Sequence, residues 1–265
     1  MKNHLSTSKC YNLWGKVTTL SAAEQKKELS ILLPAYNEAL QIEKCVREVD
    51  HAVSSFSESY EIIVAEDGST DGTECILPGL LSSVPHLIFQ HSPNRLGKGK
   101  AIKNAVNTAK GEVIVFMDVD LATSLDCLQK VVRQVEERGG MVIGSRHVAS
   151  SRVKRRASRT LFSLAYNLLV RVLFLDSIHD HQCGFKAMRH EVAEALGDIK
   201  SDGFFFDTEM ILRCKKLGFP VSEIGVQWSE NRERSASKVR LFHDAAKIGL
   251  DLFKFKFGVD DPRRS

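Results

Sequence analysis

The stretch Gly111-Glu-Val-Ile-Val-Phe-Met-Asp-Val-Asp120 decides how the chain is read. Val113 to Met117 is an unbroken apolar run, as expected of a strand covered on both faces in a parallel sheet. It stops at two carboxylates, Asp118 and Asp120. Residues at i and i+2 of an extended chain point to the same side. The carboxyl ends of strands are also where open α/β sheets hold ligands. Two acids placed there offer oxygen ligands to a hard divalent cation, which can bridge the phosphates of a nucleotide diphosphate. A plainer reading stays open beside it: an Asp ending a buried strand can simply cap the next helix.

Upstream of this strand, Leu29-Ser-Ile-Leu-Leu-Pro34 predicts a short strand stopped by proline. The spacing of Ala39, Ile42, Val46, Val49 and Val53 predicts a helix from Glu38 to Val53. Tyr60 to Ala65 and His86 to Gln90 predict two more strands, separated by the turn Glu66-Asp-Gly-Ser-Thr-Asp-Gly-Thr73. Pro93 to Lys100 is a glycine-rich basic loop before a helix over Ala101–Ala109. Downstream come a helix near Leu125–Arg138 and a strand at Met141–Gly144. Strand and helix alternate with short loops, which predicts a doubly wound, mostly parallel α/β sheet flanked by helices. The polar residues 1–28 read as an N-terminal arm and 29–258 as one domain.

The second half changes character. Arg152-Val-Lys-Arg-Arg-Ala-Ser-Arg159 is a basic run, and Thr160 to Leu175 is mostly apolar, broken by Asn167 and Arg171. Asp180 to Ala187 leads into a strand, Phe204 to Leu217 reads as a helix carrying Asp207 and Glu209, and Val221 to Trp228 as an edge strand. Leu241 to Phe257 sets phenylalanines among Lys247, Lys254 and Lys256. It and Thr160–Leu175 are too short to span a bilayer. The former suits a helix lying on a membrane surface; core packing is the alternative for both.

Composition narrows the class. The 265 residues carry a net charge of +4, too little for a dedicated nucleic-acid binder, so no nucleic-acid partner is expected. Six scattered cysteines without a C-x-x-C pair speak against a zinc site or a disulfide framework and for a reducing compartment. The start of the chain has no apolar signal core, which points to a cytoplasmic protein, or one peripheral on the cytosolic membrane face. The glycine-rich loop is no P-loop, because Asn94 stands where G-x-x-x-x-G-K needs its first glycine. It is no dinucleotide fingerprint either, because Ile102 replaces the third glycine. Its lysines can touch a phosphate or simply be solvated.

Five segments in this order resemble glycosyltransferase family 2: Leu33-Pro-Ala-Tyr-Asn-Glu38, Glu66 to Thr73, Asn94-Arg-Leu-Gly-Lys-Gly99, Asp118-Val-Asp120 and Gly144-Ser-Arg146. The resemblance runs from Ser30 to Gly258. Gln182-Cys-Gly-Phe-Lys186, Phe206-Asp-Thr-Glu209, and Glu223 to Trp228 leading to Ser237-Lys-Val239, narrow it. They are similar to the dolichyl-phosphate glucosyltransferase branch, near relatives of the dolichol-phosphate mannose synthases. The resemblance implies a GT-A, Rossmann-like fold, with residues 29–146 as the nucleotide-sugar half and 147–258 as the acceptor- and membrane-facing half. It implies an inverting enzyme that uses Mg2+ or Mn2+ and moves a hexose, glucose favoured, from a nucleotide diphosphate sugar to dolichyl or polyprenyl phosphate.

By position, Pro34, Tyr36, Glu38 and Asp67 would line the nucleoside site, Asp118 and Val119 would meet the sugar nucleotide, and Asp118 and Asp120 would hold the metal. Pro34 can instead simply end a strand, Glu38 favour a helix start, and Asp67 act as a cap. Mannose synthases of this group often carry Gln two residues after the second Asp; Ala122 stands there, so water or Gln182 would complete the shell. Arg146, Arg232 and Lys238 would contact phosphates, with Asp120, Arg146 and Lys238 as the catalytic set and Ser158 and Arg159 helping to hold the acceptor.

A lipid phosphate is already ionised near neutral pH and attacks without a general base, whereas a sugar hydroxyl needs one. Two alternatives therefore stand: a family 2 transferase acting on a hydroxyl, with Asp207 or Glu209 as base, or a non-catalytic nucleotide-sugar-binding module.

Overall fold

The computed structural model describes residues 27–154, 157–197, 199, 201, 205–230, 249 and 252–257, with backbone alone at 157–159. The first half runs β1 (Lys27–Ala35), α1 (Ile42–Ser54), β2 (Tyr60–Asp67), α2 (Thr73–Leu80), β3 (Leu87–Ser92), α3 (Lys98–Val106), β4 (Gly111–Met117), α4 (Leu128–Arg138) and β5 (Met141–Ser145). The second adds β6 (Arg152–Lys154), α5 (Ala157–Phe174), β7 (Phe185–Arg189), α6 (His190–Leu196), α7 (Phe206–Lys216), β8 (Val221–Gly225) and β9 (Gln227–Ser229).

The main sheet has seven strands in the order β3-β2-β1-β4-β7-β5-β8, with β4 at its centre. Val113 to Met117 are each at most 1% exposed, as the apolar run requires. The strand period of two divides them. Val113, Val115 and Met117 pack with α1, α2 and α4, while Ile114 and Phe116 pack with α3, α6 and α7. Burying side chains of this size contributes about 1.5–3 kcal/mol each, which is why β4 anchors both layers. A third, smaller cluster joins Tyr166 and Val170 of α5 to Phe205, Leu212 and Leu252.

Three details refine or differ from the sequence expectation. First, within the expected, mostly parallel sheet, β7 runs antiparallel to both β4 and β5. Second, α1 starts at Ile42, not Glu38. Asn37 sits in the left-handed region at φ 56, and Ala39 N donates to Asp71 Oδ2, so this backbone belongs to a turn. Third, the expected edge strand over Val221–Trp228 is two strands. β8 edges the main sheet, and beyond the buried Val226, β9 pairs with β6. Of the N-terminal arm only Lys27 and Glu28 are described, already in β1. Of Leu241–Phe257, residues 249 and 252–257 are described and helical.

Candidate active site

Beyond Met117 the chain turns, and Asp118 and Asp120 line one small cleft with Met117, Ala122, Thr123, Gly184 and Trp228. Asp118 keeps 46% of its side chain open, so a ligand can reach it. Asp120 Oδ1 accepts from Ala122 N at 3.1 Å, a local turn that steadies the carboxylate rather than a helix cap. A Cβ at Gly184 would overlap the Asp118 carboxylate, so only glycine leaves room for it. One wall is β9: Ser124 N donates to Gln227 O and Ser229 N to Ala122 O.

Charges alternate behind the cleft. Lys98 Nζ donates to Asp118 Oδ1 at 3.1 Å and reaches Asp207 Oδ2 at 3.4 Å. Lys186, fully buried, donates to Asp207 Oδ1 at 2.5 Å and to Cys183 O at 2.6 Å. Burial pushes the Asp207 carboxyl up, but the Lys186 and Lys98 ammoniums outweigh it and hold it below the ordinary value. Lys98 is thus the loop lysine that reaches the acids. Asp207 stays ionised with both oxygens engaged, which makes it a poor proton acceptor. Glu209 is engaged elsewhere: Oε2 accepts from Ser201 N and Oγ, and Oε1 from Arg213 Nε at 2.7 Å.

The nucleoside-side residues lie on two knitted turns. Asn37 Oδ1 accepts from Thr70 N, Asn37 N donates to Ser69 Oγ, and Glu38 N to Thr73 Oγ1. Pro34, Tyr36 and Glu38 are half-buried at this edge, and the Arg95 guanidinium lies 4.1 Å above the Tyr36 ring. Asp67 is buried and accepts from Leu96 N (2.6 Å) and Gly97 N (2.9 Å), so it caps the glycine-rich loop before α3. Val119 is 3% exposed and packs into the core, which leaves its backbone for any ligand.

Arg146 is gripped by Asp180: Nε to Oδ2 at 2.7 Å, Nη2 to Oδ1 at 2.8 Å and the backbone N to Oδ2 at 2.9 Å. Its guanidinium lies 5.7 Å from the Trp228 ring, which ties it to the cleft wall. Asp180 was not singled out in the sequence; a pairing across 34 residues has no local signal. Glu66 is buried with Ser69 N and His91 Nδ1 on its two oxygens, and the His91 pairing, across 25 residues, likewise has no local signal. Gln182 Nε2 is buried without a hydrogen-bond partner among the described residues. Ser158 and Arg159 fall in the first turn of α5, where backbone alone is described, and Arg232 and Lys238 lie outside the described residues.

Sheet, helices and the acidic pair at the end of the central strand make this a GT-A-like α/β protein. Two solved structures share the fold: the mannosyltransferase PcManGT from Pyrobaculum calidifontis in complex with GDP-Man and Mn2+, and glucosyl-3-phosphoglycerate synthase from Mycobacterium tuberculosis in complex with Mn2+, UDP and phosphoglyceric acid. The first has a TM-score of 0.60 at 20% identity over 88% of this chain and 64% of that one. The second has 0.63 at 19% over 89% and 80%.

The chain belongs to glycosyl transferase family 2, whose model matches residues 30–197. Glycosyltransferase AglD of Haloferax volcanii is 38% identical over 233 residues, 86% of this chain but only 36% of that protein. The dolichyl-phosphate beta-glucosyltransferases of Drosophila melanogaster and Saccharomyces cerevisiae are 31% and 28% identical, over 85% and 84% of this chain and 73% and 72% of theirs.

Proposed function

We propose that the chain is an inverting, metal-dependent transferase that moves a hexose, glucose favoured, from a nucleotide diphosphate sugar to dolichyl or another polyprenyl phosphate. One observation carries the reading. Asp118 and Asp120 face a reachable cleft, while the two acids that a hydroxyl acceptor would need as base, Asp207 and Glu209, are held by Lys186, Lys98, Arg213 and Ser201. Such a site suits an acceptor that arrives negative. The names of the relatives support the acceptor and the sugar; the Mn2+ complexes of the structural neighbours support the metal.

The residues present fit a hard divalent cation. Asp118 and Asp120 supply carboxylate oxygens on one cleft, and the bare backbone of Gly184 leaves room for the Asp118 carboxylate to sit there. Among the described residues no group of three His, Cys, Asp or Glu forms a closed site, so donor phosphates and water would complete the shell. When bound, such a cation offsets the charge that builds on the departing nucleotide diphosphate. Lys98 pairs with one of these two acids, Asp118, and with Asp207, and steadies both from behind. Arg146, with Arg232 and Lys238, would meet the acceptor phosphate.

We further propose peripheral contact with a lipid surface on the cytosolic side. Leu161, Leu164, Leu168 and Val172 of α5, and Leu175 just past it, recur every three or four residues and are between 47% and 93% exposed. Phe253 and Phe257 are also exposed. Among the described residues no helix is long and apolar enough to cross a membrane. Labelled nucleotide sugars incubated with polyprenyl phosphate or with a glycan test the whole reading. Transfer to the lipid phosphate is expected; product with the glycan alone, or tight nucleotide binding without turnover, would reject it.

A further inference from the structure

Arg146 follows directly on β5, and its side chain is 8% exposed; the Asp180 side chain is 0% exposed. Asp180 takes the Nε and Nη2 edge of the guanidinium and leaves Nη1 without a hydrogen bond among the described residues. The segment that carries this carboxylate is itself held from several elements. Asp180 N donates to Glu223 Oε1 on β8 at 3.0 Å, and Gln182 N donates to Asp180 Oδ1 at 3.2 Å. The next residue, His181, is anchored on α5, where Asn167 Oδ1 accepts from both its N and Nδ1 at 2.9 Å.

We propose that Asp180 is a positioning residue: it presets the Arg146 guanidinium so that the remaining Nη1 edge meets the acceptor phosphate. The inference rests on the part given to Arg146 in the proposed function. Two consequences follow from the chemistry. An arginine already locked by two parallel bonds gives up little further rotamer freedom when the anion arrives. The paired carboxylate also cancels most of its charge, so recognition depends on the direction of the N–H bonds more than on net attraction. Burial pulls on the guanidinium, yet Asp180 outweighs it and keeps Arg146 firmly protonated.

The test compares wild type, D180N, D180A, R146A and R146A/D180A in steady-state transfer to polyprenyl phosphate in detergent, with nucleotide diphosphate titrations and melting curves alongside. D180N and R146A are each expected to raise the acceptor KM about tenfold or more, the worth of a charged hydrogen bond, with nucleotide affinity within about twofold. R146A/D180A should match R146A, because Asp180 acts only through Arg146. D180A and R146A each leave a buried charge without its partner and risk unfolding, which the melting curves read; R146A/D180A removes both charges together, so its acceptor KM tests the pair where a single variant is lost. Losses that multiply in the double variant, or a parallel loss of nucleotide affinity, overturn the positioning role alone. An unchanged acceptor KM in R146A overturns the phosphate role of Arg146, and the positioning role with it.

Discussion

Asp176, Asp180 and Asp207 are buried or nearly so, and each is pushed up by burial yet held below the ordinary carboxylate range by its partners. His181 and Lys215 do this for Asp176, Arg146 for Asp180, and Lys186 and Lys98 for Asp207. A carboxyl with a depressed folded pKa binds its proton more weakly in the native state, so the unfolded chain takes up more protons on acidification. The stability these groups contribute is therefore complete well above the unfolded value, about 3.9, and is lost as pH falls through and below it. Denaturant unfolding at stepped pH should show a flat response near neutrality and a steep fall below about pH 4.5, with a slope approaching about 1.4 kcal/mol per pH unit for each group. R146A/D180A should lessen that slope; an unchanged slope would contradict the pairing. At this scale the sequence was half legible. Asp118 and Asp120 announced themselves by ending an apolar strand, and the cleft contains both. Lys186 and Gly184 lie inside the motif Gln182-Cys-Gly-Phe-Lys186 and Asp180 just before it, but their work depends on Asp207, Asp118 and Arg146 brought in from distant segments.

At the scale of elements, β4 was legible because a strand buried on both faces needs no partner to be recognised. The direction of β7 was not, since alternation is the same read either way, and only pairing such as Val115 with Ala187 reveals it. The break between β8 and β9 was hidden because Val226 continues the apolar pattern while its side chain turns into the core. For α5 the apolar run left two readings, and core packing is shown for one face of the helix. Tyr166 and Val170 pack inward, while Leu161, Leu168 and Val172 are 71%, 60% and 67% exposed. Replacing Leu161 and Leu168 together with glutamate should cut co-sedimentation with anionic lipid vesicles about tenfold or more. The melting temperature should move little, because neither side chain contributes to the core. Unchanged vesicle binding would contradict the lipid-facing role.

Across the whole molecule, one sheet joins both halves. The first brings the knitted turns after β1 and β2 to the edge beside the acids, and the second brings β7, β8 and β9 with Gly184, Glu223 and Trp228 to the same end. That convergence is why the site is built from residues as distant as Lys98 and Asp207. The central claim is that Asp118 and Asp120 hold a cation jointly with the donor diphosphate. Calorimetric titration of nucleoside diphosphate into wild type and Asp120→Ala, with and without Mn2+, tests it most directly. Mn2+ is expected to tighten binding to wild type about tenfold or more, about 1.4 kcal/mol, because the cation bridges carboxylate and phosphate oxygens, and Asp120→Ala to erase this gain while its melting temperature stays close to wild type. Equal Mn2+ enhancement in the Asp120→Ala protein would contradict it.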